Sequence, residues 1–434
     1  MTIILQKSVQ LQNRTWVSIQ APQWFREDRV AQRYQDLFSL LDWSDEVDEG
    51  EEQAKPVGRL PHPDSAYIKA HMVMIEEKKA YVSELRDYLL EHPTLIWLLD
   101  FRLVPDEDSP YGFDVEKSLP CERHLRRKLH QFEMSNLNEL LVQTVKMACE
   151  LEPELGQTVS IDVKHIYAPV KENNPKAYVS NRYDPEKQPS ADPDCRLGLK
   201  RRRNQEDEQG AKTGKNEWLW GYGTGVAVSQ TQRKESIVLA DYTQPFNEND
   251  VTYGLPLLQQ AEDNLGFKPK HITADAAFDA YYMYEGRPMQ GIAAIPLNLR
   301  GNACTNFNQA EQPLCACNQK PMRGLKPFIE KQRQVRRFKC DDCGKTRKLA
   351  IEKGSIIRLQ LDRSSQVYKA IYKERTATER INSQAKALGI ERPKQRRQTA
   401  IERRNRLIYV VINLHTIQRL HKRKLKIRSP DNFS

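Results

Sequence analysis

YKERTATERINSQAK, residues 372–386, decides how this chain is read. The stretch reads as helix, and within it Tyr372, Arg375, Glu379 and Lys386 stand at successive offsets of three, seven and fourteen from the tyrosine. At about 100° per residue the last three fall about 60°, 20° and 40° round the helix from Tyr372, so one narrow face carries all four. A carboxylate flanked by two cations and a phenol suits an anionic substrate held beside a metal ion. Most charged helical faces are instead solvated and laced with i,i+4 ion pairs. Two upstream aspartates, Asp162 and Asp275, set this face apart, because they stand where a metal site needs them.

The surroundings of the helix are basic. From Lys386 to Arg428 there are 14 Lys/Arg against 2 Asp/Glu, a net of +12, while the whole chain carries +10. The charge is therefore local, in RPKQRRQ (392–398, with Arg396 and Arg397), ERRNR (402–406) and HKRKLKIR (421–428). Such a tract is the electrostatic footprint of phosphate binding, with nucleic acid as the favoured partner. A merely solubilising tail does not explain LIYVVINLHTI (407–417), which is apolar enough to be buried.

With 434 residues, 39% apolar and 29% charged, the chain is globular but polar and suggests two to four domains. The N-terminus has no apolar segment of signal-peptide length, and runs such as LIYVVI (407–412) are far short of a membrane span. The expectation is a cytoplasmic, nucleoid-associated protein with no membrane partner. Four of its eight cysteines fall in a 29-residue window, Cys315-x-Cys317 and Cys340-x-x-Cys343. Cys340-Asp-Asp-Cys343-Gly344 has the spacing of half a zinc ribbon, whereas Cys315-x-Cys317 is shorter than usual and Cys304 is a substitute ligand. One structural Zn2+ and a metal-free ribbon are both open. Cys121, Cys149 and Cys195 read as buried small hydrophobes.

Residues 1–153 read as a helical region, broken by an acidic and proline-rich linker at 44–63. Within it PCERHLRRKLHQF (120–132) and the helix 135–150 form either a helix-turn-helix unit, which would bind DNA, or an ordinary hairpin. After Gly156 the period changes: Val159, Ile161 and Val163 alternate with Ser160, Asp162 and Lys164, as on a half-buried strand. About 50 charged, proline-rich residues follow, including Lys200, Arg201, Arg202 and Arg203, and read as a long loop that orders on a partner. Strands at 219–230 and 236–244, a helix at 250–265, a strand ending near Asp275 and another in 291–301 complete the pattern. That order describes an RNase H-like α/β fold, a mixed sheet with flanking helices spanning 156–300 and 355–428, with a small cysteine-containing insertion at 301–354. Its strand ends bring Asp162 and Asp275 together, and the Glu379 helix packs across them. Three hard oxygen ligands can hold two divalent ions.

Tyr372-x2-Arg375-x3-Glu379-x6-Lys386, with Asp162 and Asp275 upstream, resembles the YREK signature of prokaryotic insertion-sequence DDE transposases, over about residues 156–425. NRYDPEKQPSADPDCRLGLKRRR (181–203) and GYG (221–223) are similar to segments of some of these enzymes. The resemblance implies an RNase H-like catalytic domain in which Asp162, Asp275 and Glu379 hold two Mg2+ or Mn2+ ions. It implies cleavage of double-stranded DNA at the element ends, transfer of the 3′-hydroxyls to target DNA, and a homo-oligomer on DNA. Tyr372, Arg375 and Lys386 would contact phosphates near the scissile bond, with Lys200, Arg201, Arg202, Arg396 and Arg397 as further DNA contacts. Two features depart from the pattern: Ala277-Phe278 stands where many relatives have Gly-Tyr, and no Trp lies between Asp275 and Glu379. The rival expectations are a DNA-binding, domesticated relative without catalysis, and a metal-dependent endonuclease that cuts without joining.

Overall fold

The structure, a computed structural model, describes residues 21–43, 61–206, 212–285, 291–298, 307–308, 312–351 and 353–428. Most of the 44–63 linker and Cys304 lie outside the described residues. The N-terminal region is helical: α1 (Gln23–Glu27), α2 (Arg29–Phe38), α3 (Asp64–Glu76), α4 (Val82–Glu91) and α5 (Pro93–Leu98). A short pair, β1 (Val104–Pro105) and β2 (Phe113–Asp114), precedes α6 (Val115–Ser118), α7 (Glu122–Leu129) and α8 (Met134–Leu151). Local chemistry sets several starts. Asp28 caps α2 by accepting from the Val30 and Ala31 N–H groups, and Pro93 opens α5 where its missing N–H costs nothing. α7 packs on α3 and α4, whereas α8 packs on the last helix and the main sheet. The two thus pack mainly on different partners.

The middle of the chain builds a curled mixed sheet from β3 (Thr158–Tyr167), β4 (Arg196–Glu206), β5 (Lys212–Gln230) and β6 (Ser236–Pro245), then α9 (Gly254–Leu265), β7 (His271–Thr273) and β8 (Ala293–Ala294). β5 runs antiparallel to β3, β4 and β6, while β3–β7 and β7–β8 are parallel. The basic cluster at 200–203 thus lies on a strand, not in the long loop its composition suggested. Backbone pairing to the long first half of β5 (Leu197 opposite Trp220, Leu199 opposite Trp218) makes it so without an alternating apolar pattern. Val159 and Ile161 face α8 and α9, and Ser160, Asp162 and Lys164 face the opposite side, as the period predicts. Glycine lets α9 and the turn before it lie close to the sheet. A Cβ at Gly223 would stand 2.3 Å from Tyr253 Oη, and one at Gly225 would stand 2.8 Å from Leu257 Cδ1.

A small sheet of β9 (Arg323–Glu330), β10 (Arg333–Lys339) and β11 (Thr346–Ala350) follows, antiparallel in the order β11-β10-β9. The chain then closes with α10 (Lys353–Gln360), α11 (Gln366–Lys373), α12 (Thr376–Ala387) and α13 (Gln398–Arg428). Residues 407–412 of α13 are all buried, so this helix runs through the core between the N-terminal helices and β6. Two polar contacts fix its position. β6 pairs with β5 alone, and Asn413 takes up the Val238 backbone, accepting from the N–H and donating to the carbonyl, each at 2.8 Å. Arg406 forms a buried ion pair with Asp241. No helix among the described residues is long and apolar enough to cross a membrane.

Candidate active site

The parallel pairing of β3 with β7 aligns Thr158 with His271 and Ser160 with Thr273. Asp162 comes two residues further along β3, and Asp275 two residues past the end of β7, near enough for the two carboxylates to repel each other. Asp275 also caps the turn that follows, accepting from the Ala277 N–H at 2.8 Å. Burial and then the neighbouring Asp275 push the Asp162 carboxyl up to about 6, against the opposing pull of Arg375. A third acid stands beside them. Asp250, at the turn before α9, is pushed up to about 6 by burial and then by Asp275. Sequence reading missed Asp250; the one available signal was an acid opening the helical segment at 250–265.

The 372–386 stretch is not one helix. The N–H groups of Arg375, Ala377 and Thr378 bond three residues back, to Tyr372, Glu374 and Arg375, so a tight turn separates α11 from α12. Tyr372 consequently belongs to α11, stacked on Tyr368 at 5.8 Å, yet its ring still lies under the Arg375 guanidinium at 6.0 Å. The junction is pinned to β3, where Ser160 Oγ donates to the Glu374 carbonyl at 3.0 Å. α12 then crosses the sheet, burying Ala377, Thr378, Ile381 and Ala385. The residue it sets on Asp162 is Asn382, whose Nδ2 donates to Oδ2 at 2.8 Å. Glu379, one turn earlier, points its carboxylate to Arg375 at 2.6 Å and is 55% exposed. Lys386 is exposed and lies 3.7 Å from Glu391, which also takes Lys164 at 2.7 Å.

The structure brings together Asp162, Asp275 and Arg375, adds Asp250 and Asn382, and leaves Glu379 on its arginine. No three carboxylates among the described residues have their oxygens within 4.8 Å of one another. The donor set still suits a hard divalent cation. Two aspartates crowd each other, and Asn382 Oδ1 is buried beside Asp162 with no partner.

The other expected DNA contacts are less free than the charge of the tract implied. Arg397 pairs with Asp194 at 3.6 Å, Arg403 donates to the carbonyls of Phe132 and His130, and Arg419 and Arg423 hold Glu235. Arg396 is exposed, and Lys200 lies over the Tyr167 ring at 5.9 Å. Arg201 and Arg202 are on β4, with side chains outside the described set.

The four cysteines do converge. Sγ of Cys317 lies 3.2 Å from Cys315 and 3.7 Å from Cys340, and Cys315 lies 3.5 Å from Cys343. All four sulfurs lie within 4.8 Å of one another, a group that fits a metal such as zinc. The short Cys315-x-Cys317 spacing has a structural answer. Cys315 N–H bonds Lys320 O and Gln319 N–H bonds Cys315 O, as Cys340 N–H bonds Lys345 O and Gly344 N–H bonds Cys340 O. The two turns are the same six-residue knuckle, with Gln319 and Gly344 both at positive φ. Asn318 stands where the second turn has Cys343, and Cys317 supplies the sulfur from one residue earlier. Hydrogen bonds from the Cys317 backbone and thiol lower the Cys315 thiol to about 7. Of the remaining cysteines among the described residues, Cys195 is buried, Cys149 is half-buried, and Cys121 is exposed because α7 turns it outward at its N-cap.

No family model matches the chain, and no curated protein matches it. Among solved structures it is similar to a piggyBac transposase synaptic complex with hairpin DNA, at a TM-score of 0.36 and 9% identity. That similarity covers 88% of this chain and 71% of the other. A TM-score of that size says nothing of shared chemistry.

Proposed function

We propose that the chain is a metal-dependent DNA transposase of the DDE type, with Asp162, Asp275 and Glu379 as its acids. The observation that carries this is the placement of α12 on Asp162, through Asn382, beside the Asp275 that follows β7. The sheet order β4-β5-β3-β7-β8, with β6 also paired to β5, sets β6, β5 and β3 antiparallel in turn and β7 and β8 parallel to β3, which supports an RNase H-like reading of the sheet. Divalent ions held there would activate the attacking oxygen and stabilise the leaving one. In cleavage a water oxygen bonds to phosphorus, the DNA 3′-oxygen leaves, and a proton passes from the water to it through solvent. In joining, that 3′-hydroxyl attacks a target phosphodiester and displaces the target's own 3′-oxygen. Arg375 holds Glu379 until a DNA phosphate competes for the guanidinium, which frees the carboxylate to turn toward Asp162 and Asp275. Tyr372 and Lys386 flank the same approach. The four cysteines bind one zinc and keep the basic β9–β11 sheet folded.

The rival reading, a DNA-binding protein without catalysis, draws on one observation: Glu379 is paired away from the other acids. A strand-transfer assay with labelled duplex ends and Mg2+ separates the two. Cleavage and joining that vanish in Glu379→Gln support the transposase. Cleavage without joined product identifies an endonuclease, and specific binding with no cleavage in the parent chain identifies the non-catalytic protein.

A further inference from the structure

Away from the acids, a cavity of about 120 Å3 opens between the N-terminal helices and the chain that follows α12. One side is His71 of α3 and the turn bearing Lys78 and Lys79; the other runs from Gly389 to Gln395 and carries Arg392 and Lys394. α13 contributes Arg404. No Asp or Glu lines the cavity, and no carboxylate among the described residues pairs with any of these five cations. Aromatic faces hold three of them instead: Arg392 over Tyr167 at 4.6 Å, Lys79 over Tyr88 at 5.0 Å and Lys394 over Tyr81 at 5.6 Å. Such contacts fix a cation while leaving its N–H donors unclaimed.

Arg404 is the decisive group. Its Nη2 donates to the Leu388 carbonyl at 3.3 Å, and its Nη1 is buried with no partner. A buried unpaired donor is costly, and a charged one more so. Burial pulls the guanidinium down to about 10. Gln395 Oε1 is also buried without a partner, and rotating that amide by half a turn presents its donor nitrogen instead. His71 adds no charge, because burial lowers it to about 4 and its ring nitrogen meets the Leu125 carbonyl at 3.0 Å.

We propose that this cavity binds a phosphate group, with Arg404 as the buried donor and Lys78, Lys79, Arg392 and Lys394 as its charged rim. The group is either a phosphodiester of a DNA strand or a free phosphate compound, and the chemistry of recognition is the same for both. The site lies just past Lys386, so a duplex phosphate there would tie the N-terminal helices to the DNA held at α12.

Inorganic phosphate and pyrophosphate, titrated into the full chain against chloride at fixed ionic strength, should raise its Tm. Arg392→Glu/Lys394→Glu, both exposed and so compatible with folding, should abolish that shift and weaken pyrophosphate binding about tenfold or more. Short-duplex affinity that falls in the same variant, with a shallower salt slope, assigns the site to the DNA backbone. Unchanged duplex affinity together with lost pyrophosphate binding assigns it to a free phosphate compound. Equal pyrophosphate responses in parent and variant, or no response in either with unchanged duplex affinity, overturn the proposal. Asp162→Asn should leave the phosphate and pyrophosphate responses unaltered, which keeps a failure of the catalytic reading distinct from a failure of this one.

Discussion

The acidic centre and the cysteine module are built in opposite ways. Asp162, Asp250, Asp275 and Asn382 come from three distant parts of the chain, the two middle acids from one of them, and each is held by a large shared core. The four cysteines come from one short stretch, and the cluster around them adds only Met322 and Phe338 as buried hydrophobes, with Leu349 packed on it. In the module Ile329 is 77% exposed on β9, so burial contributes little there. The first site is held by its scaffold; the second must hold its scaffold. That contrast predicts where each can be broken.

Chelation, or Cys343→Ser, should have the largest effect and a local one. Structural zinc in small modules binds with about 10–16 kcal/mol of apparent free energy, which here would be folding free energy for 312–350. About one zinc per chain should be lost on chelation. Hydrogen exchange should then accelerate in β9–β11 and stay slow in β3 and β5. Fast exchange in β3 as well would mean that the two regions are not independent.

Removing the acids should do the reverse. Asp162→Asn and Asp275→Asn should lower Mg2+-dependent DNA cleavage by about three orders of magnitude, or about 4 kcal/mol, with zinc content and Tm preserved. Residual cleavage within about tenfold of the parent would take that aspartate out of the site.

Breaking the buried pair should damage the scaffold without the chemistry being touched directly. Arg406→Leu strands Asp241, a carboxyl already raised by burial, and should cost about 3–5 kcal/mol in denaturant unfolding while the zinc stays bound. Arg406→Leu/Asp241→Leu should recover most of that loss, because the cost lies in the unpaired charge.

Acid should act by degrees, each buried histidine contributing separately. Burial holds His71 down to about 4 and His165 down to about 3, against 6.5 for a free imidazole. Between those values the unfolded chain binds protons that the folded chain refuses, so stability is full above about 6.5 and falls as pH drops toward 4. His71 alone accounts for about 3 kcal/mol. Chemical denaturation of zinc-stripped protein across this range checks it, and His71→Gln should flatten the slope.

Sequence made one half of this contrast more legible than the other. The alternation of β3, the helical stripe of α8 and the buried middle of α13 follow from local periodicity, and all three were readable. The neighbourhood of Asp162 and Asp275 rests on a parallel pairing between strands far apart in the chain, which no local pattern encodes. The tight turn at 374–375 was invisible because charge offsets assume unbroken helix. Asn382 escaped because an amide three residues from Glu379 looked like filler. The short cysteine spacing hid a knuckle identical to its partner, since the turn is set by Gln319 and Gly344 at positive φ rather than by the distance between thiols.

The path of α13 has a consequence for how the protein is made. This helix fills the space between the N-terminal helices and β6, and ribosomes produce it after every surface that it covers. Until it emerges, the growing polypeptide carries the apolar faces of both regions uncovered, and the Val238 backbone lacks the amide that satisfies it. Nascent chains stopped short of residue 398 should therefore engage chaperones or aggregate, and soluble protein should appear only after α13 is complete. Synthesis order thereby delays the closed core until α13 has been made.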